Sequence, residues 1–398
     1  MNPSRPHKPS PRLTRDTYPG TLVVGGGVIG LAVGWALALR GEPVTVLERG
    51  KAGREASWAA AGMLAPITEV AFQEDTNLAL GLDSLARYPN FVARLQAATG
   101  LHVDFRTEGA LQMALTADDS ARLAEVYGYQ RARGLAVEPL TPAQAQALEP
   151  GLSGYVAAAY LCRQDHQVDP RKLTAALGAA LAQSGGQVLE NTPVERFVLE
   201  PGKPPAVELG GNLAGEVWPA RRVLLAAGAW SGLVAGLPDH LRPPVRPVKG
   251  QMLALRMPEP HPLTRFLRVV RVPEIYLAPK SDGRLIVGAT VEEMGFDREV
   301  TAGGLYELLK GAWEALPGAY DLPVVETWTG FRPGSRDNAP ILGESGFPGL
   351  YMATGHHRNG ILTTPATAYH LSRLMLDGLA SDLLNKFSPQ RFNRPRAS

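Results

Sequence analysis

The sequence predicts an α/β fold, in which a doubly wound domain built from both ends of the chain carries an inserted mixed-sheet α+β domain. Two observations support this prediction. Near the N-terminus, residues 21–24, 31–40 and 44–47 have a strand, helix and strand pattern, with a glycine turn after the first strand. Near the C-terminus, a buried strand at residues 350–353 leads into a helix, and strand-like segments such as residues 245–255 fill the middle of the chain.

The glycine turn at residues 25–30 (Gly-Gly-Gly-Val-Ile-Gly) has the spacing of a Rossmann-like dinucleotide site. Gly25 allows the tight turn, Gly27 lets the backbone approach a pyrophosphate, and Gly30 lets the helix pack closely on the strand. The helix then directs its first N–H groups and its positive dipole end at the phosphates. Glu48 ends the second strand, where its carboxylate can accept from both ribose hydroxyls. We therefore predict dinucleotide binding; the alternative is an ordinary βαβ crossover, which needs no three consecutive glycines.

Composition narrows the class of protein. The chain has 398 residues, 45% of them hydrophobic, which favours two domains with sizeable cores. A formal net charge of +2 gives no large single-sign field for nucleic acid or a membrane surface, and no apolar run is long enough to span a bilayer. The single cysteine, Cys162, excludes an internal disulfide and a multi-cysteine metal site, so we expect a buried, unreactive thiol and a cytoplasmic protein that binds no metal.

We divide the chain as follows. Residues 1–18 are rich in proline and basic residues without the hydrophobic region of a secretory signal, so we expect a disordered leader. The discontinuous cofactor-binding domain is expected at residues 19–100, 159–244 and 328–390, the substrate domain at residues 101–158 and 245–327, and a tail at residues 391–398.

Several further motifs follow in order: residues 57–66 (Ser-Trp-Ala-Ala-Ala-Gly-Met-Leu-Ala-Pro), 223–231, 247–250, 288–290, 330–333 and 355–360 (Gly-His-His-Arg-Asn-Gly). With the glycine turn and Glu48, this set resembles the D-amino-acid oxidase family of FAD-dependent oxidoreductases over about residues 20 to 385. The first and last of these stretches resemble the glycine-oxidising branch that serves thiamine biosynthesis. The resemblance implies FAD as the cofactor.

The resemblance also implies which residues hold FAD. Small side chains near Ala56 would let a flat ring pack against backbone, although plain helix packing would also explain them. Val194 would present its backbone to the adenine edge, and residues 356–362 would lie beside the pyrimidine end of the flavin, where N–H groups stabilise negative charge. The expected set is Gly25, Gly27, Val28, Ile29, Gly30, Glu48, Arg49, Ala56, Ser57, Ala61, Gly62, Met63, Val194, Gly228, His356, His357, Arg358, Asn359, Gly360, Ile361 and Leu362.

For the substrate, the family match indicates Arg332, Tyr276 and Arg358. Arg332 lies in a Gly-Phe-Arg-Pro setting at a strand end, where its guanidinium could form two parallel hydrogen bonds with a carboxylate. The alternative is that Arg332 is a surface arginine. Tyr276 would place a hydroxyl over the substrate, or else fill a strand core. Arg358 is expected to order the flavin loop more than to grip substrate. Lys249 could favour oxygen reduction by its charge, but we expect a solvated lysine at a strand end.

Two departures from the family pattern affect the site. Residues 266–273 (Phe-Leu-Arg-Val-Val-Arg-Val-Pro) are longer and more basic than in similar glycine oxidases and lack a tyrosine found there, so we expect a different pocket lid. Relatives that attach their flavin covalently use a cysteine nearer the C-terminus than Cys162, so we expect non-covalent FAD. No Ser–His–Asp arrangement or metal-ligand spacing is present.

The expected function is oxidative deamination of glycine and other small amino acids or amines, with the chemistry on FAD and no certain catalytic side chain. The expected partners are a small amino acid and oxygen, and the family implies a homotetramer. Two alternatives remain open: a D-amino-acid or imino-acid dehydrogenase with a non-oxygen electron acceptor, and a non-enzymatic FAD-binding assembly protein. The sequence does not rank glycine, sarcosine and small D-amino acids.

Overall fold

The structure is a computed structural model that describes residues 18–72, 74–257 and 266–392. The expected leader and tail lie outside the described residues, apart from their inner ends. Tyr18 is not part of a leader, because it begins the first strand, and residues 391–392 belong to a short 3₁₀ turn, Pro389–Phe392.

The described residues form eighteen strands and nine α-helices. The strands are β1 (Tyr18–Val24), β2 (Val44–Leu47), β3 (Met63–Leu64), β4 (Ala110–Ala114), β5 (Glu138–Leu140), β6 (Ala158–Cys162), β7 (His166–Gln167), β8 (Gln187–Leu189), β9 (Val194–Val198), β10 (Ala206–Leu209), β11 (Val217–Leu225), β12 (Val245–Arg256), β13 (Val269–Arg271), β14 (Tyr276–Pro279), β15 (Arg284–Gly288), β16 (Val324–Ser335), β17 (Ile341–Glu344) and β18 (Leu350–Thr354). The helices are α1 (Val28–Ala38), α2 (Ala56–Ala59), α3 (Asp75–Thr99), α4 (Ala117–Ala132), α5 (Pro142–Leu148), α6 (Pro170–Gln183), α7 (Ala302–Ala315), α8 (Gly360–Asp377) and α9 (Asp382–Asn385).

The first sheet joins the two ends of the chain. Its main order is β17-β18-β11-β1-β2-β8, and β18, β11, β1, β2 and β8 are parallel. Helix α1 packs between this sheet and helices α6 and α8, so nearly every residue of α1 is buried. This explains why its sequence is apolar on all sides instead of amphipathic. The opposite face buries Leu22 and Val24 against Phe197 and Val207 of the antiparallel pair β9–β10.

The second sheet comes from the middle of the chain, in the order β16-β12-β15-β14-β13-β4-β6-β5, and is antiparallel except for the β13–β4 pair. Successive side chains of β12 point alternately to the two faces of this sheet. Leu253 and Leu255 pack toward Leu308 of α7, whereas Met252 and Ala254 lie on the other face in one cluster with Trp328 and Ala59 of α2. The second face therefore looks onto the space between the two sheets.

The predicted fold class is confirmed: a Rossmann-like sheet formed by both ends of the chain carries an inserted mixed sheet. The domain boundaries stay a prediction. Two of them, after residue 158 and after residue 327, fall inside β6 and β16, and both strands belong to the second sheet.

Candidate active site

A continuous cleft lies between the two sheets. One end is formed by the N-terminus of α1 and the other by the second sheet at Tyr276 and Arg332. The cleft brings together most of the predicted site residues: Gly27, Val28, Ile29, Ala56, Ser57, Ala61, Gly62, Met63, Gly228, Tyr276, Arg332, His356, His357, Arg358, Gly360 and Ile361. The predicted residues that do not line it are Gly25, Gly30, Glu48, Arg49, Val194, Asn359 and Leu362.

The glycine turn has the geometry that its sequence predicts. Gly25 has a φ of +111°, which a residue with a side chain rarely adopts. A Cβ on Gly30 would lie 2.0 Å from the carbonyl oxygen of Gly25, so only glycine lets α1 start this close to β1. Gly25 and Gly30 therefore act on the shape of the turn, while Gly27 and the two residues after it face the cleft.

Helix α1 presents its N-terminus to the cleft. The N–H of Val28 donates to the hydroxyl of Ser57 at 2.9 Å, which ties α1 to α2. The first N–H groups of a helix have no acceptor inside the helix, so others at this end are available to an anion. Beyond Ser57, the wall is made of small residues from Ala59 to Gly62. A helix N-terminus followed by a groove of small side chains fits the pyrophosphate and flat ring of a dinucleotide.

Glu48 lies at the end of β2, beside the turn. Its carboxylate accepts from the N–H of Gly26 at 2.7 Å and from the N–H of Gly50 at 3.0 Å. A carboxylate has about four acceptor positions, so capacity remains for ribose hydroxyls. Arg49 points elsewhere: its guanidinium lies 3.7 Å from the ring centroid of Trp230 and pairs with Glu55 at 2.8 Å.

Val194 begins β9, close to this end of β2, because the N–H of nearby Thr192 donates to the carbonyl of Glu48 at 2.8 Å. Its predicted role toward adenine is compatible with this position and stays a prediction.

The loop before α8 is held by α3. Pro365 of α8 has no N–H for the carbonyl of Ile361, and the hydroxyl of Tyr88 donates to that carbonyl instead, at 2.5 Å. The hydroxyl of Ser84 donates to the carbonyl of Leu362 at 2.6 Å. Asn359 and Leu362 thus shape the helix start, while Gly360 and Ile361 face the cleft.

The two histidines of this loop are neutral at physiological pH. Burial lowers the pKa of His356 to about 3, and its Nε2 lies 3.3 Å from the hydroxyl of Thr367. Burial, with the positive charges of Arg358 and Arg332 nearby, lowers the pKa of His357 to about 3. Neither histidine is charged as a cationic acid would be, and their place beside the flavin stays a prediction.

Arg332 carries a positive charge into the cleft. It is partly buried on β16, and its Nη1 donates to the carbonyls of Thr290 at 3.1 Å and Lys249 at 3.3 Å. Within residues 18–72, 74–257 and 266–392, no carboxylate forms an ion pair with it. The two carbonyls orient the guanidinium and leave its Nε and Nη2 edge for an anion.

Tyr276 lies across the same face, and its hydroxyl donates to the sulfur of Met252 at 3.4 Å. Burial raises its pKa to about 12, so the hydroxyl remains protonated at physiological pH. Arg358, the third predicted substrate residue, is already paired: its Nη2 lies 2.6 Å from Glu74 and 3.3 Å from the carbonyl of Glu69. This supports its expected role in ordering the loop.

Glu69, Met252 and Glu274 also line the cleft, although none of them is among the site residues predicted from the sequence. Arg271 lines it as well and was included in the sequence analysis only as part of a basic stretch. Glu69 lies in a turn after β3 and had no motif around it. The expectation for Lys249 is wrong. Its side chain is fully buried, and the pairing of Nζ with Asp297 at 2.5 Å offsets the cost of burying its charge.

Cys162 is buried in β6, burial raises its pKa, and it does not line the cleft. In the part of the chain that the structure describes, no group of three or more His, Cys, Asp or Glu could hold a metal ion. No helix among those residues is long and apolar enough to cross a membrane.

Comparison with known proteins connects this geometry to a family. The family described as DAO, FAD dependent oxidoreductase, matches residues 21–374. The crystal structure of glycine oxidase from Geobacillus kaustophilus has a TM-score of 0.86 at 33% identity, covering 94% of this chain and 99% of that one.

Two curated relatives extend the comparison. The glycine oxidase of Geobacillus kaustophilus is 36% identical over 356 residues, which cover 89% of this chain and 92% of the relative. The bifunctional protein ThiO/ThiG of Trichormus variabilis is 34% identical over 391 residues, which cover 96% of this chain but only 56% of the relative. The chain therefore spans about half the length of this second relative.

Proposed function

This chain belongs to the DAO family of FAD-dependent oxidoreductases, and on that basis we propose that it oxidises glycine and other small amino acids or amines, such as sarcosine and small D-amino acids. The amine is converted to the imine, which water hydrolyses to the 2-oxo acid and ammonia, or to methylamine in place of ammonia when sarcosine is the substrate. Oxygen takes up the two electrons and gives hydrogen peroxide. Relatives named glycine oxidase favour this reaction over a dehydrogenase with another electron acceptor.

The observation that carries the proposal is the guanidinium of Arg332, which has no carboxylate partner among the described residues and lies on the same cleft as the glycine turn. A partly buried cation without a carboxylate partner is electrostatically incomplete, and a substrate carboxylate completes it with charge-assisted hydrogen bonds. Arg332 therefore binds the carboxylate of an amino acid and fixes one end of the substrate.

Tyr276 completes the positioning. Its protonated hydroxyl can donate to the bound carboxylate, while Met252 and Ala289 provide apolar wall beside it. The reaction depends on holding Cα in the right place, because no general base is required when the amine binds in its neutral form. The neutral His356 and His357 support the backbone of the loop and take no proton from the substrate.

FAD supplies, when bound, a two-electron acceptor for the hydride from Cα. The N-terminus of α1 at Gly27 and the small residues from Ala56 to Met63 would hold its pyrophosphate and ring system, and Glu48 would hold the ribose. We propose that the attachment is non-covalent; Cys162, the single cysteine of the sequence, is buried away from the cleft and is not placed to form a thioether with the flavin.

The test is anaerobic bleaching of the bound flavin with glycine, sarcosine, D-alanine and D-proline, followed by peroxide measurement in air. We expect bleaching and peroxide with the small amino acids. A flat trace with every amine would overturn the proposal in favour of a non-enzymatic FAD protein, and bleaching without peroxide would indicate a dehydrogenase.

We also propose that the imine supplies thiazole formation in thiamine biosynthesis, and that the enzyme is a cytoplasmic homotetramer, as the sequence resemblance implies. Light scattering at micromolar concentration tests the assembly. A monomer mass would reject the tetramer and leave the chemistry unaffected.

A further inference from the structure

The cleft has a second charged feature, the ion pair between Glu69 and Arg271. Nη1 of Arg271 lies 2.8 Å from Oε1 of Glu69, and both residues line the cleft. Glu69 comes from the turn after β3 and Arg271 ends β13 of the second sheet, so the pair connects two separate elements of the wall. The side chain of Glu69 is only 10% exposed.

The pair is held in place from behind. Thr68 donates both its N–H and its hydroxyl to the buried carboxylate of Asp165, at 2.7 and 2.6 Å. The side-chain amide of Gln112 donates to the carbonyl of Thr68 at 2.9 Å, and Gln112 is the register partner of Arg271 on β4. The same framework therefore positions both the turn that carries Glu69 and the strand that carries Arg271.

The pair faces the proposed substrate position. Arg271 and Tyr276 are directly opposite in the β13–β14 register, so their side chains lie on the same face of the sheet, with Cβ atoms about 5 Å apart. Arg332, Glu69 and Arg271 all act electrostatically on the hydroxyl of Tyr276. A substituent on a substrate bound through Arg332 and Tyr276 would therefore approach this pair.

The charges of the cleft fit a substrate with one carboxylate. Three arginines line it: Arg271 is neutralised by Glu69, Arg358 by Glu74, and Arg332 by no carboxylate among the described residues. A second carboxylate on the substrate would find Arg271 already neutralised by Glu69 and would be repelled by that negative charge.

We propose that the Glu69–Arg271 pair determines substrate specificity: Glu69 neutralises Arg271 and rejects amino acids that carry a second carboxylate, and removing the charge of Glu69 converts Arg271 into a second carboxylate site. This inference deepens the proposed function, because it takes Arg332 as the first carboxylate site.

The test measures binding of unreactive acids to the FAD-loaded protein by calorimetry. The probes are acetate, with one carboxylate, and malonate, succinate and glutarate, with two at different separations. The quantity compared is the ratio of the affinity for the tightest-binding diacid to the affinity for acetate. In Glu69→Gln this ratio should be about tenfold higher than in wild type, which is the change expected for one new charge-assisted contact. Iminodiacetate, an amine with two carboxylates, should gain in kcat/KM relative to glycine.

Three further variants isolate the pair. Glu274→Gln removes the same charge from another cleft-lining glutamate and frees no arginine, so the diacid-to-acetate ratio should stay within about twofold. Glu69→Gln/Arg271→Gln should return the ratio to its wild-type value. Arg271→Gln alone leaves the negative charge of Glu69 without a partner, so the diacid-to-acetate ratio should fall about tenfold. This variant provides the test if Glu69→Gln does not fold.

An unchanged ratio in Glu69→Gln, or a gain that persists without Arg271, would overturn the inference. Because these ligands do not react, the result is independent of turnover. If the protein oxidises glycine but the diacid-to-acetate ratios do not change in the variants, the inference is rejected and the proposed function is not. If the ratios change as expected but the protein does not oxidise glycine, the proposed function is rejected and the inference is retained.

Discussion

The guanidinium of Arg332 lies directly over Gly250. A Cβ at position 250 would be 2.5 Å from Nη1 and 2.8 Å from Nη2 of Arg332, closer than atoms in contact can approach. Gly250 and Arg332 are on the adjacent strands β12 and β16, so the missing side chain of one provides the space for the charge of the other.

Gly250→Ala should therefore displace Arg332. Because the guanidinium loses its alignment with the substrate carboxylate, we expect KM for glycine to rise about tenfold or more, with FAD binding unchanged. Steady-state kinetics and flavin content measure the two effects. Gly128→Ala, at a helix position where a Cβ meets nothing within 4 Å, is the control and should behave as wild type.

Arg332→Ala should raise KM for every carboxylate substrate. Charge-assisted hydrogen bonds of this kind contribute about 1.5–3 kcal/mol, which corresponds to a factor of about 10 to 150. Arg332→Lys should recover only part of the loss, because an ammonium cannot form the bidentate contact. Arg336→Ala, an exposed arginine just beyond β16, is the matched control. Unaltered KM in Arg332→Ala would remove this residue from the substrate site.

Glu48→Ala should weaken FAD binding by about 10-fold or more, because the ribose loses its acceptor and the N–H groups of Gly26 and Gly50 lose theirs. Titration of the apoprotein with FAD gives Kd. The control is Glu190→Ala, since Glu190 also accepts from a backbone N–H, that of Ala52, but does not contact the glycine turn. Equal losses in both variants would contradict a specific role for Glu48.

Asp165 predicts a pH dependence of stability. Burial raises its pKa from 3.8 to about 6 in the folded state. The folded protein then holds this proton more tightly than the unfolded chain, so its contribution to stability is present below pH 4 and is lost as pH rises to about 6. The loss is at most about 1.4 kcal/mol per pH unit.

Denaturant unfolding at several pH values measures this effect. The free energy of unfolding of Asp165→Asn, relative to wild type, should increase between pH 4 and 6 and level off above that range. Asp321→Asn, at an exposed position, should follow the wild-type curve. A constant difference between Asp165→Asn and wild type would show that Asp165 does not titrate in this range.

The sequence by itself determined the features that depend on neighbouring residues. The glycine turn, the buried strand before it and Glu48 after the next strand are encoded within about thirty residues, and each has a local physical cause, such as the φ of +111° at Gly25. The same is true of the apolar pattern of α1 and of the Thr141 cap, whose hydroxyl accepts from the N–H of Gln144 at the start of α5.

Only the tertiary structure decided which charges meet. The sequence predicts Arg332 as the carboxylate site and expects Arg358 mainly to order the flavin loop, but it does not reveal their partners. Arg358 is neutralised by Glu74, which is 284 residues away in the chain, and Arg332 has no such partner among the described residues. Glu69 and Arg271 are 202 residues apart, and Lys249 was expected in solvent but is buried against Asp297. Such contacts arise when two sheets pack together, and because no local pattern encodes a long-range pairing, periodicity and motif spacing do not reveal it.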